Sequence, residues 1–125
     1  QNNLSERIEF EGRFTTDSLI KKLLGCDAYI HPSRYEPFGI SIMEAAYLGL
    51  PIILDNSPKI GAGELLIDGE SCIRLDFENP KAAAKILKDK IKFPEKMREL
   101  GKKGQKIAQN LKIENAVSKL LKIIE

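Results

Sequence analysis

Directly after Pro51 the chain reads Ile52-Ile53-Leu54, an unbroken apolar run followed by a polar loop. A strand that does not alternate has both faces covered, as in parallel sheets carrying helices on each side. The preceding segment, Ser41–Leu48, reads as a helix closed by Gly49. Before that, Ala28–His31 reads as another strand. Strand, helix, strand in this order makes a parallel pair with its crossover. The alternation extends in both directions. Arg7–Phe10 reads as a short strand, and Asp17–Leu24 as a helix capped by Thr16 or Asp17 with Leu19, Leu23 and Leu24 on one face. Gly63–Ile67 is expected to form a helical turn and Cys72–Leu75 a strand. Pro80 opens a helix whose face continues through Ala83, Ile86, Leu87 and Ile91. A second helical face runs through Met97, Leu100, Gly104, Ile107, Ala108 and Leu111. A terminal one is lined by Ala116, Val117, Leu120, Leu121 and Ile124.

The fold class expected is α/β: a partial Rossmann-like parallel sheet of about four strands, flanked by helices. A C-terminal helical tail is expected to wrap the sheet rather than extend it. All 125 residues fit one domain, 1–125. No run approaches the ~18 apolar residues that span a bilayer, and the polar start lacks the apolar core of a signal peptide. A cytoplasmic protein is expected, and since residue 1 is Gln, a fragment of a longer one. Cys26 and Cys72 are both read as small buried hydrophobes. Two cysteines and the lone His31, at no ligand spacing, do not make a zinc site. Charge is uneven. Residues 1–80 carry 7 Lys/Arg against 13 Asp/Glu, and residues 81–125 carry 13 against 5. The basic half reads as solvated helix faces, or as a surface for a partner or an anionic membrane. Nucleic acid is not expected as a partner, because Phe93 is the only aromatic there and offers no stacking platform.

In sheets of this kind ligands bind beyond the carboxyl ends of the strands. The first such loop is the most informative segment, His31 to Pro51: HPSRYEPFGISIMEAAYLGLP. Pro37 biases Glu36 toward an extended backbone, Gly39 permits close approach of a ligand, and the first helical N–H groups near Ile40–Met43 face the crevice. A diphosphate suits that position. Glu36 and Glu44 stand eight residues apart, and the spacing alone says little, since Glu70 and Glu78 repeat it. Ser41 and Glu44 also match a capping box, with Glu44 returning to the helix start. Arg34 reads as a solvated loop residue or one facing the diphosphate, Tyr35 and Phe38 as crevice walls, Tyr47 as core, and His31 as a strand-end hydrogen-bonding group.

Taken with its frame, the segment resembles the E-x7-E signature of family 4 glycosyltransferases, the group 1 retaining enzymes of GT-B architecture. The matching residues are Pro32-Ser33, Glu36, Phe38-Gly39-Ile40, Glu44-Ala45-Ala46, Gly49 and Pro51-Ile52-Ile53. The resemblance implies half of a GT-B fold, a donor-binding domain that acts with an N-terminal acceptor domain. It implies transfer of a hexose from a nucleoside diphosphate sugar to a sugar or lipid-linked acceptor, with retention, as in polysaccharide biosynthesis. It places Glu36 beside the donor sugar as the catalytic carboxylate. Phe38, Gly39, Ile40 and Ser41 fall at the sugar and diphosphate, and Glu44 on the ribose hydroxyls. No metal and no cofactor are implied. One departure stands out. Where the family carries Gly-Gly-x-Pro-Glu, this chain reads Ile60-Gly61-Ala62-Gly63-Glu64, which puts a donor contact from that loop in question. The basic residues that clamp the diphosphate belong to an upstream unit, so residues 1–125 alone are expected to be inactive. The competing readings are a noncatalytic α/β interaction module with a vestigial site, its basic helices docking a partner or the inner membrane face, and a nucleotide-binding regulatory domain. The latter lacks both a P-loop and a G-x-G-x-x-G motif.

Overall fold

The structure, a computed structural model, describes residues 4–111. The helical face expected over Ala116–Ile124 lies outside the described residues. Three strands form one parallel sheet in the order β1-β2-β3: β1 Tyr29–His31, β2 Ile52–Asp55 and β3 Ile73–Leu75. Ile53 pairs with Ile30 on one side and Ile73 on the other. All four residues of β2 are buried, as its non-alternating composition requires.

Among the described residues four helices surround the sheet: α1 Thr16–Leu24, α2 Ile40–Tyr47, α3 Pro80–Lys90 and α4 Pro94–Gln109. On one face Leu23 of α1, Ile42, Ala45 and Ala46 of α2 and Ala108 of α4 pack on Ile52 and Leu54. On the other, Ala83 of α3 and Met97 of α4 pack on Ile53, Ile73 and Leu75. Thus α4 begins on one face and ends on the other, wrapping the sheet as expected. Gly101 permits the crossing, because a Cβ there would lie 2.2 Å from the Gly49 carbonyl oxygen.

Several sequence expectations are corrected. Arg7–Phe10 is not a strand. Ser5–Arg7 is a single 3-10 turn, no ladder joins the following residues to the sheet, and Phe10 is 94% exposed. Its alternation suits a strand, but a strand exists only with a neighbour to accept its hydrogen bonds. The described sheet therefore has three strands rather than about four. The α1 cap is Thr15, not Thr16 or Asp17: Thr15 Oγ1 accepts from the Ser18 N–H at 3.3 Å, and Ser18 Oγ accepts from the Thr15 N–H at 3.0 Å. The turn expected over Gly63–Ile67 spans Gly61–Glu64. Cys26 is exposed, because it lies past the end of α1 in the connection to β1, its thiol donating to the Lys22 carbonyl at 3.3 Å. Cys72 is buried as expected, and burial pushes its thiol up to about 11 against the opposing pull of Arg74. It is a protonated, inert thiol at neutral pH.

Candidate donor site at the carboxyl edge of the sheet

The carboxyl ends of the strands carry three loops, 32–39, 56–60 and 76–79, and α2 begins at the end of the first. Glu36 is held there by its backbone. Its N–H donates to the Lys59 carbonyl at 3.0 Å, and its carbonyl accepts from the Gly61 N–H at 2.9 Å. These bonds form an isolated parallel bridge between Glu36 and Ile60, so the first loop is laced to the second. Pro37 enforces the extended backbone that this lacing uses. Glu36 Oε1 then accepts from the Gly39 N–H at 3.0 Å, and its side chain is 31% exposed.

Gly39 is the cap of α2, at φ 86°. A Cβ there would meet Ile42 Cδ1 at 2.6 Å, Ala62 Cβ at 3.2 Å and Glu36 Cγ at 3.3 Å, so both the dihedral and the space demand glycine. The helix accordingly starts one residue earlier than the sequence suggests, at Ile40. The capping box is corrected with it. Ser41 lies inside the first turn, and its Oγ accepts from the Tyr29 hydroxyl at 3.0 Å. The Met43 N–H is the first to bond back, to the Gly39 carbonyl at 3.1 Å, and no side chain caps the helix. The N–H groups of Ile40 and Ser41 are thus left without intrahelical partners at the positive end of the helix dipole, while Ile42 is fully buried.

Glu44 lies one turn beyond Ile40 and is exposed. It borders an apolar groove of about 430 Å³ between α1 and α2, lined also by Leu19, Ile20, Phe38, Ile40 and Tyr47. Phe38 and Ile40, 47% and 68% exposed, sit between the two carboxylates along the chain. Tyr47 is a further correction. It is half exposed on the wall of this groove rather than in the core, because it shares the outer helix face with Ile40 and Glu44.

The rim depends on a polar network that the sequence did not announce. Asp55, at the end of β2, is fully buried and accepts from the Ser57 N–H at 2.9 Å and the Phe77 N–H at 3.2 Å. Arg34 pairs with Glu78 and places Nε 3.8 Å from Asp55 Oδ1. Arg34 is thus an exposed loop residue, as expected, that also links the first loop to the third and to the end of β2. Arg74 secures the second loop from below, donating to the carbonyls of Asp55 at 3.2 Å, Ser57 at 3.1 Å and Gly63 at 2.7 Å. The divergent loop is packed with equal closeness. A Cβ on Gly61 would lie 2.2 Å from the Pro37 carbonyl oxygen, and one on Gly63 would lie 2.0 Å from Arg74 Nη2. Gly61 thus seats the loop against Pro37-Phe38, and Gly63 makes room for the Arg74 guanidinium. The signal available for this network was a charged residue, Asp55, closing an otherwise apolar strand.

A parallel sheet with helices on both faces and an uncapped helix start at its carboxyl edge has the form of half of a GT-B fold. The comparisons are specific. The sequence model for glycosyl transferases group 1 matches residues 1–107, and the chain belongs to that family. It is 29% identical over 126 aligned positions to an uncharacterised glycosyltransferase of Methanocaldococcus jannaschii, covering 100% of this chain and 35% of that protein. It is 36% identical over 83 positions to a glycogen synthase of Mycobacterium tuberculosis, covering 64% of this chain and 20% of that protein. Among solved structures, sucrose-phosphate synthase from Thermosynechococcus elongatus superposes with a TM-score of 0.81 at 26% identity, covering 98% of this chain and 30% of the other. Anabaena HepE in complex with UDP superposes at 0.80 with 26% identity, covering 97% and 33%. The chain spans about a third or less of each of these proteins. It is a glycosyltransferase sequence with half of a GT-B fold.

Proposed function

We propose that this chain binds the donor of a longer retaining glycosyltransferase, a nucleoside diphosphate hexose with uridine as the base to test first. The observation that carries the reading is the Glu36–Gly39 turn, which holds a carboxylate directly beside the open start of α2. The diphosphate lies on the N–H groups of Ile40 and Ser41, whose dipole contribution is ~0.3–2 kcal/mol and needs cationic help from elsewhere in the protein. Phe38 and Gly39 pack on the sugar. Glu44 accepts both ribose hydroxyls, for which a carboxylate has the lone pairs. In the reaction the anomeric C–O bond to the diphosphate breaks as the acceptor oxygen bonds the same carbon. The acceptor proton passes to the departing diphosphate, and Glu36 stabilises the cationic charge between. Amide and basic donors carry the leaving charge, so no metal is required. HepE, solved with UDP, supports uridine.

The upstream half of the enzyme belongs beside β1. Ile30 is 47% exposed although it pairs with the buried Ile53, and no strand lies on the outer edge of β1 among the described residues. A further strand and helix upstream would complete the sheet and cover Ile30. The acceptor, a sugar or a lipid-linked sugar, binds the N-terminal domain.

The test of donor binding uses the full-length protein and ligand-observed NMR with UDP-, GDP- and ADP-glucose. UDP-glucose is expected to bind, and Glu44→Ala to weaken it about tenfold, in line with the ~1.5–3 kcal/mol of a charge-assisted hydrogen bond. Binding unchanged by the substitution would remove Glu44 from the site.

A cytoplasmic enzyme with peripheral membrane contact fits one further observation. No described helix is long and apolar enough to cross a membrane. At the α3–α4 turn, however, Ile91 and Phe93 are exposed beside Lys88, Lys90 and Lys96, with Lys96 Nζ 4.9 Å from the Phe93 ring centre. Apolar tips among lysines suit an anionic bilayer. Co-sedimentation of the full-length protein with phosphatidylglycerol vesicles is expected to fall at least fivefold in an Ile91→Ser/Phe93→Ser variant, with little binding to neutral vesicles. Equal pelleting of both proteins would remove this contact.

A further inference from the structure

Among the described side chains, one buried polar atom has no hydrogen-bond partner, His31 Nε2. The atom is not stray. It faces the carboxylate of Glu36, with Oε2 at 3.8 Å, and the imidazole is oriented by stacking on Tyr29, ring centres 6.3 Å apart and planes 19° from parallel. Tyr29 is itself anchored through its hydroxyl to Ser41, in the first turn of α2. The other oxygen of Glu36 is occupied by the Gly39 N–H. A separation of 3.8 Å is too long for a hydrogen bond, but a movement of about 1 Å closes it. Bonds of this sort are commonly long in a free enzyme and tighten with the ligand in place.

We propose that His31 is the positioning residue for Glu36. When a donor sugar enters, Nε2–H donates to Oε2 while the Gly39 N–H holds Oε1. The carboxylate is then fixed from both ends, in one plane, beneath the anomeric carbon. The chain Ser41–Tyr29–His31–Glu36 would link the diphosphate end of the site to the sugar end. This inference rests on the donor-binding reading. It goes beyond the paired glutamates by giving a task to a residue that neither the spacing nor the turn explains. It concerns geometry at the reacting carbon rather than affinity, so its signature is in kcat and not in nucleotide binding.

The experiment uses the full-length protein with UDP-glucose, following UDP release with water as acceptor where no sugar acceptor is supplied. Transfer to water breaks the C1–O bond to the diphosphate, forms C1–O to water, and leaves the proton on UDP. His31→Phe keeps the flat ring on Tyr29 but removes the donor; His31→Gln keeps an N–H donor. His31→Phe is expected to lower kcat roughly 10–100-fold, the cost of a group displaced by about 1 Å, with KM and the Kd for UDP within about twofold. His31→Gln is expected to recover most of kcat. A His31→Phe enzyme at wild-type kcat overturns the proposal, as does a His31→Gln enzyme impaired as much as His31→Phe. A wild-type protein that neither binds UDP nor releases it from UDP-glucose overturns the donor reading itself, and this proposal with it.

Discussion

Replacing Glu36 by Gln in the full-length enzyme is expected to lower kcat by roughly 10²–10³-fold, the range for loss of one preorganised electrostatic group at a reaction centre. The substitution is nearly isosteric. The Gln carbonyl oxygen can still accept from the Gly39 N–H, as Glu36 Oε1 does at 3.0 Å, so the turn and the start of α2 should persist. The backbone bonds of residue 36 to Lys59 and Gly61 are untouched. What disappears is one negative charge in a partly enclosed position, where charge is poorly screened. The donor ground state is neutral at the anomeric carbon and the transition state is cationic, so the charge contributes mainly to the latter. KM and the Kd for UDP should therefore move by less than about threefold. Steady-state kinetics on purified protein checks this. An unchanged kcat would exclude Glu36 from the reaction centre. A loss confined to KM would make it a binding residue only.

The second large effect is structural and acts on the same turn. Gly61→Ala is expected to destabilise the protein by about 3 kcal/mol, the upper end for overpacking a close contact, and to abolish detectable donor binding. The added methyl would sit 2.2 Å from the Pro37 carbonyl oxygen and 2.9 Å from Phe38 Cα, both backbone atoms that cannot rotate aside. Relief requires the second loop to lift from the first, which breaks the Gly61 N–H bond to the Glu36 carbonyl and frees the Glu36 side chain. Gly69→Ala is the matched control. Its φ of 78° carries some strain, yet a Cβ there meets nothing within 4 Å, so it should cost only about 1 kcal/mol and leave donor binding intact. Denaturant unfolding and UDP-glucose titration of the two variants separate the effects. Equal behaviour of the two would mean that the loop contact does not organise the site.

What the sequence conveyed, and what it concealed, divides along contact range. Pro51 and the unbroken Ile52–Leu54 run announced a strand buried on both faces, and β2 is fully buried. Pro80 marked the start of α3, and the Pro-Phe-Gly frame located the turn that carries Glu36. These are signals between residues a few positions apart. Local signals failed where two of them competed. Ser41 and Glu44 have capping-box spacing, but the left-handed Gly39 started the helix earlier and released Glu44 to the outer face. At α1, Thr15 and Ser18 satisfied one another and displaced the Thr16 or Asp17 cap. Alternation in Arg7–Phe10 could not supply a missing neighbour. The network of Arg34, Asp55, Arg74 and Glu78 was invisible for a different reason. Its contacts, Arg74 to Asp55, Arg34 to Asp55 and Arg34 to Glu78, span 19 to 44 positions and form only after three strands have aligned, so no spacing encodes it. Glu78, which the eight-residue spacing to Glu70 left without a role, is the partner of Arg34.

On the proposed function, the start of α2 and the carboxylates flanking it form one donor pocket. A crystal structure of the full-length enzyme with UDP-glucose measures this directly. Diphosphate oxygens are expected at hydrogen-bond distance from the N–H groups of Ile40 and Ser41, with ribose hydroxyls on Glu44 and the hexose beside Glu36. A nucleotide bound elsewhere, or one whose sugar lies across the fold from Glu36 while its ribose avoids Glu44, would contradict it.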